Sequence, residues 1–86
     1  MSHKKYPVLK LKEVLAILSQ HNFSEIRSEG SHHHYMAIVN GQKRVVTVGH
    51  GKTEFDAFLI KSMIAQSGLS REDFYGATKK TAKKIK

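Results

Sequence analysis

The run Gly30-Ser31-His32-His33-His34-Tyr35, followed by His50-Gly51-Lys52, concentrates imidazoles in one stretch of the chain. Imidazole titrates near neutral pH, so it can accept a proton, donate one or bind a metal. Cysteine is absent, which removes disulfides, thiolate zinc sites and cysteine nucleophiles together. Three successive histidines in a strand do not act as one group, because alternation sends His32 and His34 to one face and His33 to the other. A metal site built on His32 and His34 would need a third ligand such as His50. The expectation is no metal and no cofactor, with His33 packed beneath helices and His32 and His34 solvated. Lys43, Arg44 and Lys52 are cations of the kind that contact phosphate, although long cations on a hairpin are commonly just solvated.

The charge balance points to a polyanion. Fifteen Lys and Arg against seven Asp and Glu give +8. Five of those cations lie in the last eight residues, Lys79-Lys80-Thr-Ala-Lys-Lys-Ile-Lys86, and residues 1–78 alone carry +3. Such a segment attracts nucleic acid through counterion release without reading sequence, or it is simply a frayed, solvated end. Eighty-six residues make one small domain, read as 1–78 with a basic tail over 79–86. No apolar run approaches the roughly 20 residues that cross a bilayer, and the start lacks the apolar stretch of a secretory signal. The expected location is the cytoplasm, with no membrane partner.

The elements that must position the histidines follow from periodicity. Leu11, Val14, Leu15 and Leu18 mark one apolar stripe, predicting a helix over 10–21 with Asn22 as its left-handed stop. Residues 23–28 alternate loosely and Glu29-Gly30 supplies a turn. Two β-rich runs, 31–39 and 42–48, flank Asn40-Gly41, a pair suited to a type I′ turn. A two-residue loop there sets His33 opposite Val48, His34 opposite Thr47 and Tyr35 opposite Val46. The face with His33, Tyr35, Ala37, Val39, Val46 and Val48 is the one expected to meet the helices. Thr53-Glu-Phe-Asp56 reads as a capping box opening a second helix through Phe55, Phe58, Leu59, Met63 and Ile64, closed by Gly68. Ser70 opens a short third turn, with Phe74 packing back. The order α-β-β-β-α is an α+β fold, a three-stranded antiparallel sheet with two helices packed on one face.

These landmarks, in this order, resemble the HicA family of mRNA-interferase toxins. The likeness rests on a helix ending in His21-Asn22-Phe23, then Gly30-Ser31-His32 followed by Tyr35. Val45-Val-Thr-Val48, His50-Gly51-Lys52 and Ile64-Ala-Gln-Ser-Gly68-Leu-Ser70 continue it, over about residues 9–75. Three features depart from the family pattern: Val48-Gly49-His50 stands where Pro-x-His is usual, the basic tail runs past the usual end, and His33 and His34 sit where the family often shows other residues. The resemblance implies a double-stranded-RNA-binding-domain-like fold, ribonuclease activity on mRNA and a HicB-like antitoxin as partner. It also implies that His32, the histidine of Gly-Ser-His, is the catalytic residue.

Cleavage of RNA without metal needs a base for the 2′-hydroxyl, an acid for the leaving oxygen and cations for the phosphorane. His32 is the base in this reading; Ser31, His34 and His50 are possible supporting groups, and Lys43, Arg44 and Lys52 candidate RNA contacts. The acid is left open between His34 and His50. Pairing sets His32 opposite Gly49 and His50 opposite Ser31, so alternation aims the two rings to opposite faces. A bulge at Gly49 would bring them together at the rim of one site; otherwise His50 only tethers the loop before Thr53. The alternative function is a non-catalytic RNA-binding or protein-interaction module of the same fold.

Overall fold

The computed structural model describes residues 5–86. Strand β1, Leu9–Lys10, leads directly into helix α1, Leu11–Gln20. The Glu13 carboxylate, three residues into the helix, accepts from the Lys10 N–H at 2.8 Å and so satisfies one free amide of the first turn. Val14, Ile17 and Leu18 are the buried stripe. The helix ends at His21, and Asn22 takes φ 66° to turn the chain.

Strands β2 (Ser24–Glu29), β3 (His32–Val39) and β4 (Gln42–Gly49) form one antiparallel sheet in the order β2-β3-β4. Asn40 and Gly41 both have positive φ, as a type I′ turn demands, and the β3–β4 register runs unbroken from Val39↔Gln42 to His32↔Gly49. Ile26 interrupts the β2–β3 register as an extra residue between Glu25↔Tyr35 and Arg27↔His34. Ala37, Val46 and Val48 are buried, so the face anticipated to meet the helices is the one that does.

A second ribbon pairs β1 with β5, Glu54–Phe55, aligning Leu9 with Phe55. This corrects the capping-box reading of Thr53–Asp56. Phe55 is a buried strand residue, and helix α2, Ala57–Ser67, is capped by Asp56, whose carboxylate accepts from the Leu59 N–H at 3.0 Å. Phe58, expected among the packed positions of that helix, is 78% exposed instead. Gly68 closes the helix at φ 74°.

Helices α3 (Arg71–Tyr75) and α4 (Lys79–Ala82) and a 3₁₀ turn (Lys83–Ile85) complete the chain. The basic segment folds back rather than fraying. Thr81 is buried with its hydroxyl donating to the Tyr75 carbonyl at 2.6 Å, and Ile85 packs against the core. The core itself joins Leu9, Val14, Ile17 and Leu18 to Val46, Val48, Ile60, Phe74 and Tyr75. The result is an α+β domain with a three-stranded sheet carrying helices on one face and leaving the other open.

Candidate active site

Gly30 and Ser31 turn the chain from β2 into β3, which makes His32 the first residue of its strand. His32 is exposed on the open face of the sheet, and its cross-strand partners are Gly49 on β4 and Glu29 on β2. Gly49 carries no side chain, and a Cβ built there would meet no atom within 4 Å. Open space therefore lies beside His32. It forms part of a groove of about 190 Å³ lined by His32, Thr47, Gly49 and Lys52 on one side. Phe55, Leu59, Ser62 and Met63 supply the apolar opposite wall. Helix α2 is held along the β4 edge by the Gln66 side chain, whose oxygen accepts from the Thr47 N–H at 3.0 Å.

His34 shares the open face with His32 but is not solvated as expected: its side chain is only 12% exposed. Its Nδ1 lies 2.9 Å from the Thr47 hydroxyl, and its Nε2 lies 3.4 Å from the Glu29 carboxylate. The carboxylate only accepts, so Nε2 carries a proton. In the neutral ring Nδ1 is then the acceptor and the Thr47 hydroxyl donates to it.

The other face holds a different cluster. His33 does not lie under a helix; its ring stacks on His50 with centroids 3.6 Å apart, and its Nδ1 donates to the Glu25 carboxylate at 3.1 Å. His50 Nε2 and the Tyr35 hydroxyl share a hydrogen bond of 2.7 Å. Burial and then the neighbouring His33 charge lower the His50 pKa, against an opposing pull from Glu25. Burial, with Glu25 adding to it, raises that of Tyr35. The register shows no bulge at Gly49, so His50 stays on the face that alternation gives it, away from the side that His32 takes. Its amide still anchors the turn, donating to the Ser31 carbonyl at 2.6 Å.

Of the three cations singled out by sequence, Lys52 lines the groove with His32. Lys43 lies exposed near the hairpin tip, on the face of His32. Arg44 goes to the helix side, against Gly68, with its Nη2 donating to Gln42 at 3.2 Å. Among the described residues no group of three or more His, Asp or Glu is arranged to hold a metal.

A family model described as the HicA toxin of bacterial toxin-antitoxin matches residues 11–69. The chain belongs to the HicA toxin family. That span runs from the first residue of α1 past the end of α2 and takes in the groove and both histidine clusters. The protein is accordingly the toxin of a toxin–antitoxin system, and an antitoxin is its implied partner. No curated protein and no solved structure matches the chain at a significant level. No helix of the described toxin is long and apolar enough to cross a membrane. Sequence reasoning did not single out Thr47, Gly49 or Glu29 as site residues. The first two were nonetheless signalled by the pairing that sets them opposite His34 and His32.

Proposed function

We propose that the toxin is a metal-independent endoribonuclease acting on mRNA, with His32 as the general base. The observation that carries this reading is an exposed imidazole at a groove that also holds the Lys52 ammonium. His32 takes the proton from a ribose 2′-hydroxyl, whose oxygen attacks the adjacent phosphorus. The bond from phosphorus to the 5′-oxygen breaks, leaving a 2′,3′-cyclic phosphate and a free 5′-hydroxyl. An imidazole is suited to the task because much of it is unprotonated near pH 7. Lys52, and Lys43 further along the same face, supply positive charge for the phosphate backbone, while Arg44 belongs to the opposite face.

The partner in this reading is a HicB-like antitoxin that covers His32, its fit helped by the +8 charge of the toxin. The test compares wild type and His32→Ala on a defined RNA, with chelator present, and in cells. The variant is expected to lose about 10²–10⁴-fold in cleavage rate, the usual contribution of a positioned base, and to stop arresting growth. Undiminished cleavage by the variant overturns the reading. Within the same experiment, carbethoxylation of His32 is expected to cease in the antitoxin complex; continued modification rules out occlusion.

A further inference from the structure

The proposed reaction has a base but no acid, and the hydrogen-bond chain ending at Thr47 is built like a donor. We infer that the Thr47 hydroxyl, backed by His34 and Glu29, delivers the proton to the leaving 5′-oxygen. This inference rests on the ribonuclease reading and completes it. Three observations carry it. Thr47 lines the same groove as His32. The two residues are diagonal neighbours on one sheet face, because His32 pairs with Gly49 and His34 with Thr47. Diagonal positions stand about 7–8 Å apart, which leaves room for a phosphate between them. Finally, the hydroxyl is not spent on the fold: its described partner is the His34 ring, and Glu29 holds that ring from the far side.

The proton balance is simple. With His34 doubly protonated, Nδ1–H donates to Thr47 Oγ1, and the threonine O–H is free to point into the groove. As the bond from phosphorus to O5′ breaks, O5′ takes the threonine proton and Thr47 Oγ1 takes the proton of His34 Nδ1. His32 has meanwhile gained the 2′-hydroxyl proton, so one proton enters the site as one leaves it. The Glu29 carboxylate on Nε2 fixes which nitrogen faces Thr47. Thr47 is therefore a catalytic residue in this scheme, and His34 and Glu29 are positioning residues.

The discriminating experiment uses RNA whose scissile 5′-oxygen is replaced by sulfur, because a thiolate leaves without needing a proton. On ordinary RNA, Thr47→Val is expected to lose about a hundredfold or more in rate, and Thr47→Ser to retain activity. On the sulfur-bridged RNA, Thr47→Val is expected to approach the wild-type rate, whereas His32→Ala stays impaired. His34→Ala is expected to follow the Thr47→Val pattern, slow on ordinary RNA and near the wild-type rate on the sulfur-bridged RNA. Equal losses for Thr47→Val on both substrates mean that Thr47 only shapes the groove, and this overturns the relay. Wild-type activity in Thr47→Val does the same. A wild type that cleaves neither RNA removes the ribonuclease reading and the relay together.

Discussion

At consecutive positions His32, His33 and His34 carry the same ring into three settings. His32 stands exposed beside a glycine, His33 is stacked on His50, and His34 is clamped between a hydroxyl and a carboxylate. Alternation separates the middle ring from its neighbours, and on the open face the β4 partner sets the room each ring has. Gly49 leaves His32 with free space, while Thr47 ties His34 down. The openness above Gly49 gives a prediction that separates the site from the fold. Gly49 does not take positive φ, and nothing stands within 4 Å of a Cβ there. Gly49→Val is therefore expected to change stability by no more than about 0.5 kcal/mol, as surface substitutions do. It is expected to cut RNA cleavage sharply by filling the groove beside His32. Urea denaturation and the cleavage assay check the two halves, and a parallel loss in both counts against the groove.

Among the elements, those closed by local turn chemistry were legible and those set by tertiary packing were not. Asn40-Gly41 fixed the hairpin register residue by residue, and Asn22 and Gly68 ended their helices as read. The Ile26 bulge, which sets Glu25 on the face of His33, leaves no mark in a loosely alternating hexapeptide. The start of α2 was misread because Thr53 and Asp56 both suit a cap; pairing of Phe55 with Leu9 awards the position to Asp56. Of the groove's lining, His32 and Lys52 were singled out from the sequence. The relay to Thr47 was not, since it needs His34 turned inward by Glu29. At the far end of α2, a Cβ on Gly68 would lie 2.7 Å from Arg44 Nε, in a left-handed backbone that alanine resists. Gly68→Ala is accordingly expected to destabilise by more than about 1 kcal/mol, read as a lower urea midpoint. An unchanged midpoint would show that the Arg44 side chain yields freely.

On the scale of the whole molecule, the two ends of the described chain are fastened together outside the 11–69 span. Arg71 Nε donates to the Lys5 carbonyl and the Tyr75 hydroxyl to the Pro7 carbonyl, each at 2.6 Å. Lys84 also reaches back into that span, to Glu13 at 3.9 Å. Burial pushes the Tyr75 pKa up to about 12, with Arg71 pulling against it. The native state then holds this proton at a pH where the unfolded chain has released it, so stability falls as pH rises from about 10 towards 12. Tyr75→Phe is expected to be less stable at neutral pH by about 1–3 kcal/mol, with the Pro7 carbonyl left unpaired. It is also expected to flatten the alkaline decline in a plot of unfolding free energy against pH. A decline as steep as in wild type would assign it to another group. The outer edge of β2 is a feature of a different kind. Among the described residues no strand pairs with that edge, and all six of its residues are exposed. An unpaired edge is a template for strand addition by another chain, and charge and bulges are what deter it. Here Glu25, Arg27, Glu29 and the Ile26 bulge are those deterrents. Glu29 thus serves as gatekeeper of an aggregation-prone margin as well as support for His34. An apolar replacement there would loosen the histidine and invite self-association in a single step.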